Sequence, residues 1–130
     1  ILKRARWKKS YKENPKKHLL RVEKWRMEHP ERVKEILKKS RLKLKMRVMS
    51  AYGGEKPRCK CCGVDDLDFL DLDHIKGGGN KHQRQLRKQG KLLYYELMKQ
   101  GFPSGYQILC HNCNYKKYLR GKCIRIHKII

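Results

Sequence analysis

Apolar residues in positions 1–50 recur at helical spacing among many Lys, Arg and Glu residues, and two prolines interrupt the run. Proline suits the first turn of a helix but breaks its interior, so we predict three helices with breaks before Pro15 and Pro30. The third helix runs from about Glu31 to Ser50 and stops at Gly53-Gly54. It places four apolar side chains near one face: Val33, Leu37, Leu44 and Val48.

A different pattern follows the linker around Gly53-Gly54 and Pro57. Leucine and aspartate alternate over 70–73, which predicts a short strand that brings Asp73 and His74 to its end. Three glycines, residues 77–79, then free the backbone to approach a ligand closely.

The rest of this half predicts helix, strand and helix. Leu93, Tyr94, Leu97 and Met98 recur at helical spacing in a segment interrupted at Gly90 and closed by Gly101. Residues 106–109 read as a second strand and residues 114–120 as a helix, which together with the first strand gives a ββα arrangement. The predicted class is α+β, with a basic helical arm at 1–54 and a compact domain at 55–130. Ile124 and Ile126 alternate with polar residues, so the tail is either an added strand or an interface segment.

Charge indicates the partner. The formal net charge of +23 arises from 35 Lys and Arg against 12 acidic residues, and such a surplus is stable beside a polyanion such as nucleic acid. Most of it lies in residues 1–58, so we interpret the helical arm as DNA-binding. Trp7 and Trp25 are expected to anchor the packing between the arm helices, with stacking on a sugar or base as the alternative.

Six cysteines include two Cys-x-x-Cys pairs, Cys59 with Cys62 and Cys110 with Cys113. Two such pairs can complete a tetrahedral zinc site with four thiolates, and free thiols are the alternative. Cys61 could replace a neighbouring ligand, whereas Cys123 is expected to be a buried apolar residue. No stretch resembles a signal peptide or a transmembrane span, so we expect an intracellular, reducing location, although the start at Ile1 suggests a missing upstream segment.

Five of the six acidic residues in positions 59–130 fall within nine consecutive positions, and only Glu96 lies elsewhere. The five are Asp65, Asp66, Asp68, Asp71 and Asp73. An acidic island in a basic protein suits a divalent cation, although a solvated turn explains Asp65 and Asp66 as well. The choice stays open for Asp68 and Asp71. A carboxylate beside His74 at a strand end, followed by a glycine loop, suits a metal-assisted hydrolytic site.

Residues 57–120 resemble a known family. Asp73-His74 after an apolar strand, the three glycines, His82, and the segment 106–117 framed by the cysteine pairs are together similar to zinc-bound HNH endonucleases of phages and mobile elements. The resemblance implies a zinc-stapled ββα-metal fold with a structural Zn²⁺ on Cys59, Cys62, Cys110 and Cys113.

The resemblance also implies residue roles. His74 corresponds to the general base, while Asp73 and Asn114 correspond to the ligands of a catalytic divalent ion, Mg²⁺ or Mn²⁺. Asn114 replaces the family's final histidine, as in an H-N-N variant. The family's middle asparagine, which orients the base-bearing loop, is absent because that region reads Gly105-Tyr106-Gln107. His111 and Asn112, between the second pair of cysteines, are interpreted as turn residues.

The predicted DNA contacts are basic or histidine side chains of both parts: Arg41, Lys45, His82, Arg84, Lys116 and Lys117. Helix capping is the alternative for His82. Together these expectations predict a metal-dependent HNH endonuclease that nicks double-stranded DNA, or cuts it as a dimer.

Two alternatives stay open, a non-catalytic zinc-ribbon protein that binds nucleic acid and an HNH-derived subunit of a ribonucleoprotein assembly. No membrane partner is expected, and the arm or the tail could mediate a homodimer or larger assembly. The expected location is the cytoplasm or nucleoid of a host cell if the protein is phage-derived.

Overall fold

The computed structural model describes residues 2–90 and 92–123, and for residues 2–5 and Trp7 it describes the backbone alone. The anchoring role expected of Trp7 and the strand or interface expected at 124–130 therefore lie outside the described residues. The chain divides into two compact units, residues 1–41 and 42–130.

The first unit consists of helices whose ends follow the prolines. Helix α1 spans Leu2–Glu13, α2 spans Pro15–Glu28, and α3, which begins in this unit, spans Pro30–Gly53. The Asn14 side chain caps α2 by accepting a hydrogen bond of 3.1 Å from the Lys17 backbone N–H. The prediction of three helices with breaks before Pro15 and Pro30 is therefore confirmed.

The first unit has no core among its described side chains, because none of residues 6–41 for which exposure is known is buried. Trp25 is 37% exposed, and its ring stacks at 5.0 Å on His29, the residue that joins α2 to α3. Trp25 therefore packs at the junction between α2 and α3, as the packing role expected of it requires. Without burial, these helices depend on local hydrogen bonds, caps and charge pairs, and their basic side chains stay accessible.

The second unit combines helices with a small sheet. Its elements are β1 at Leu70–His74, α4 at Gly79–Lys88, α5 at Leu93–Lys99, β2 at Tyr106–Cys110 and α6 at His111–Arg120. The strands β1 and β2 pair antiparallel as a two-stranded sheet. This mixture is compatible with the predicted α+β class. Among the helices described in either unit, none has both the length and the apolar character needed to cross a lipid bilayer.

The last turns of α3 belong to the second unit. Val48 and Met49 are fully buried there in the core that also contains Leu70 and Ile108. A Cβ on Gly53 would lie 2.5 Å from the Ile108 side chain, so the end of α3 rests directly on β2. The compact unit consequently begins at Leu42, ahead of the division expected between residues 54 and 55.

The core of the second unit is small and contains sulfur. Its buried apolar residues are Val48, Met49, Cys59, Leu70, Leu72, Leu97, Ile108, Leu109, Cys110 and Cys113. A core of this size alone gives a small domain only marginal stability.

Candidate active site and candidate zinc centre

The register of the sheet separates two clusters of chemically active side chains. Leu70 pairs with Cys110 at one end of the β1–β2 pair, and His74 pairs with Tyr106 at the other. Helix α6 follows β2 directly and packs on both strands. One end of this ββα unit therefore carries cysteines, and the opposite end carries Asp73 and His74.

Four cysteines meet at the first end. The Sγ atoms of Cys59, Cys62, Cys110 and Cys113 all lie within 4.8 Å of one another. The Sγ atoms of Cys62 and Cys110 are 3.6 Å apart. A tetrahedral zinc with bonds of about 2.3 Å has sulfur–sulfur edges of about 3.8 Å, so these four sulfurs fit a Zn²⁺ ion.

Backbone geometry prepares the first pair for this role. Gly63 donates its N–H to the Cys59 carbonyl at 2.9 Å and adopts a φ of 83°, a left-handed conformation that suits glycine. Burial alone would raise the pKa of Cys59, but backbone N–H groups of Cys62 and Cys110 oppose it and lower that pKa to about 6. Cys59 is thus ready to bind a cation as a thiolate near neutral pH.

Asp73 is the buried carboxylate of the other end, with 9% of the residue exposed. Its Oδ2 accepts a hydrogen bond of 2.7 Å from the Gln107 amide and another of 2.6 Å from Lys117 Nζ. Lys117 Nζ also donates to the His74 carbonyl at 2.6 Å. Because both side-chain bonds end on Oδ2, Oδ1 is the oxygen that a divalent cation would use.

The His74 imidazole is held from three sides. Its Nε2 lies 2.9 Å from His82 Nδ1, and its ring is 4.7 Å from the Tyr106 ring. A Cβ on Gly79 would be only 2.8 Å from His74 Nδ1, so the ring packs closely against the start of α4 and a side chain there would displace it. Burial, followed by the neighbouring His82, lowers the pKa of His74 from its ordinary 6.5, and the Asp73 charge opposes the shift. His74 is therefore neutral at pH 7.

These groups line a cavity of about 650 Å³. Its wall includes Asp73, His74, the glycines 77–79, Asn114 and Lys117. Gly77 and Gly78 have φ values of 77° and 81°, which allow the chain to turn sharply from β1 into α4. The ββα unit thus brings the three predicted catalytic residues, Asp73, His74 and Asn114, to one cavity.

The residues predicted to contact DNA fall into two groups, those at the cavity and those elsewhere on the helices. Lys117 lies in the cavity as the partner of Asp73, and His82 contacts His74 instead of capping α4 through its side chain. Arg84 on α4 and Arg41 on α3 are exposed, whereas Lys116 on α6 and Lys45 on α3 are half-buried. Their contact with DNA stays a prediction.

Two residues of the site, and one contact outside the cavity, carry no signal that sequence reasoning could use. Gln107 binds Asp73, Tyr106 packs on His74, and His111 hydrogen-bonds Asp71. The first two follow from the strand register, which places them opposite their partners. His111 and Asn112 belong to the first turn of α6, so their interpretation as turn residues is wrong. Helix α6 begins directly after Cys110, and its first turn brings Cys113 close to the other sulfurs.

The chain was compared with known proteins at three levels. No family model, no curated protein and no solved structure matches it. Its function must therefore be inferred from the site itself.

Proposed function

We propose that this protein is a metal-dependent endonuclease of the HNH type that hydrolyses phosphodiester bonds in double-stranded DNA. The observation that carries the proposal is the cavity at the end of β1, where a buried carboxylate, a neutral histidine, an amide and a lysine converge. A carboxylate and an imidazole in a basic protein match the needs of phosphodiester hydrolysis. The net charge of +23 supports DNA as the partner.

His74 acts as the general base. In the tautomer in which His74 Nε2 donates to His82 Nδ1, the lone pair lies on Nδ1, beside Gly79. Nδ1 then takes a proton from the attacking water, and His82 keeps the ring in this orientation. His82 thereby supplies the positioning that the middle asparagine provides in the family that the sequence resembles.

Asp73 and Asn114 hold the catalytic cation. Mg²⁺ and Mn²⁺ take oxygen ligands, commonly one or two from carboxylates with the remainder from water and phosphate, and Asp73 Oδ1 with the Asn114 amide oxygen fits that set. When bound, the ion supplies stabilisation of the charge that develops on the phosphate and the leaving oxygen. Gln107 fixes the Asp73 carboxylate from the neighbouring strand.

The zinc centre has a structural role in this proposal. Cys59, Cys62, Cys110 and Cys113 hold Zn²⁺ at the end of the sheet opposite His74, so the ion fixes the register that aligns β1 with β2. The exposed basic side chains of the arm bind the DNA backbone independently of sequence.

Cleavage of supercoiled plasmid tests the proposal. The wild-type protein should nick it with Mg²⁺ and stop when EDTA is added, and His74→Ala should lose about 10²–10⁴ of the rate while DNA affinity stays nearly unchanged. His111→Ala is the matched control, because it removes a histidine from the same unit but outside the cavity. Equal nicking by wild type and His74→Ala would reject His74 as the base.

A non-catalytic nucleic-acid-binding protein is the second candidate. The observation that favours it is the ion pair between Asp73 and Lys117, which satisfies the carboxylate without a metal. This alternative predicts tight DNA binding and no metal-dependent nicking by wild type, so the same plasmid experiment distinguishes the two.

A further inference from the structure

Two sulfurs are left over by a four-cysteine zinc site. Cys61 and Cys123 form no disulfide, and their Sγ atoms lie within 4.8 Å of each other and of Cys113 Sγ. Cys113 belongs to both groups, so its sulfur joins the six described cysteines into one continuous cluster.

Local structure brings the two extra cysteines together. Cys61 lies inside the turn between Cys59 and Cys62, and that turn is tied to β2 by a 2.9 Å hydrogen bond from the Lys60 N–H to the Ile108 carbonyl. Cys123 follows α6, which ends at Gly121 with a φ of 73°. Glycine in this conformation ends the helix and turns the chain, and Cys123 then returns to the turn between Cys59 and Cys62.

The placement of Cys123 differs from the expected buried apolar residue. Cys61 and Cys123 are only half-buried, and both line a cavity of about 350 Å³. Both pack against the edge of the core, the Cys61 thiol lies 3.7 Å from the Cys123 carbonyl, and the buried Cys113 sulfur lies beside them. Soft thiolates at this separation are the ligand set that thiophilic ions such as Zn²⁺ and Cd²⁺ select.

We propose that Cys61, Cys113 and Cys123 bind a second thiophilic metal ion, with the Cys113 thiolate bridging it to the zinc on the four-cysteine site. Zn²⁺ is tetrahedral, so three sulfur ligands would leave one position for a solvent molecule. Lys60, Lys117 and Lys122 line the same cavity. Lys117 is already paired with Asp73, and the charges of Lys60 and Lys122 offset the excess negative charge of six thiolates around two dications.

The position of the second ion connects it to the rest of the unit. It joins the segment after α6 to the turn that contains Cys61, a link that the four-cysteine site does not make because its last ligand is Cys113. Lys117 lines this cavity as well as the one around Asp73. Loss of the second ion therefore should release the chain after Gly121 while the sheet and the first zinc stay in place.

Metal content tests the proposal without depending on nuclease activity. The full chain is saturated with Zn²⁺ under reducing conditions, freed of excess metal by gel filtration and analysed for zinc per folded chain. Wild type should hold two ions, and Cys61→Ser and Cys123→Ser should each hold one and keep the wild-type circular dichroism spectrum. Lys122→Ala is the control, since it changes the cavity wall without removing a ligand and should still hold two.

Cadmium spectroscopy of the wild type decides the question even if the serine variants fail to fold. With ¹¹³Cd²⁺ in both sites, we expect two cadmium resonances that both correlate with the β-protons of Cys113. One zinc per wild-type chain, a single cadmium resonance, or a disulfide between Cys61 and Cys123 in the zinc-loaded protein would each overturn the proposal. A wild-type protein that holds two zinc ions but does not nick plasmid would count against the proposed function and leave the second metal site standing.

Discussion

Replacing Lys117 by methionine separates the two roles of Asp73 as the partner of a lysine and as a metal ligand. Lys117 Nζ lies 2.6 Å from Asp73 Oδ2, with side-chain exposures of 16% and 10% for the lysine and the aspartate. Removing one member of a buried ion pair costs about 3–5 kcal/mol, because the remaining charge is left without its partner. The residual exposure places Lys117→Met near the lower end, at about 3 kcal/mol.

The assay is thermal unfolding with and without Mg²⁺. In a domain of this size each kcal/mol changes the melting temperature by about 4–8 °C, so a loss of about 3 kcal/mol should make Lys117→Met melt roughly 12–24 °C lower in EDTA. Mg²⁺ at about 100 times its dissociation constant should return about 2.7 kcal/mol, since the cation on Oδ1 then offsets the Asp73 charge that Lys117 no longer balances. Lys116→Met is the control, because Lys116 precedes Lys117 on α6 but makes no contact with Asp73 among the described hydrogen bonds.

The double variant Asp73→Asn with Lys117→Met completes the test. It lacks both the orphaned carboxylate and the proposed metal ligand, so it should be more stable than Lys117→Met in EDTA and should gain nothing from Mg²⁺. If the double variant is stabilised by Mg²⁺ as much as Lys117→Met, the cation binds elsewhere and the reasoning about Asp73 is refuted.

Three further predictions concern the loop, the arm and the zinc. Gly79→Ala should push the His74 ring aside and lower nicking at least tenfold with an unchanged fold by circular dichroism; wild-type rates would contradict this. Deleting residues 1–41 should weaken DNA binding and flatten its salt dependence, because each phosphate that the arm neutralises contributes about 0.9 to the slope of log K against log salt. Deleting residues 1–50 should also unfold the second unit, because it removes the buried Met49. An unchanged slope after the shorter deletion would show that the arm does not bind phosphates. Removing zinc with a strong chelator should unfold the second unit, as followed by circular dichroism, and a folded zinc-free protein would contradict the structural role.

Local signals account for what the sequence predicted well. Pro15 and Pro30 lack the N–H that a helix interior requires, so they fix the starts of α2 and α3 without any tertiary information. The alternation over 70–73 likewise defines β1, and the spacing of the cysteine pairs defines the four sulfurs that meet. The helix starts, the strand and each Cys-x-x-Cys turn are set by neighbours in the chain, whereas the meeting of the two cysteine pairs joins residues 48 positions apart.

Contacts between side chains that are distant in the chain account for the features that could not be predicted from the sequence. The bonds from Gln107 and Lys117 to Asp73 join residues more than thirty positions apart, and they depend on a strand register that no local pattern specifies. The burial of Val48 and Met49 is similar, because helical periodicity identifies an apolar face but not the sheet that covers it.

The measurement that tests the central claim most directly compares two aspartates of β1. Asp73→Asn and Asp71→Asn make the same change two residues apart, but only Asp73 lines the cavity with His74. We predict that Asp73→Asn abolishes Mg²⁺-dependent nicking of supercoiled plasmid, and that Asp71→Asn, which disrupts only the hydrogen bond with His111, retains it. Retained nicking by Asp73→Asn, or equal loss in both variants, would contradict the claim that the Asp73 and His74 end of the sheet is the active site.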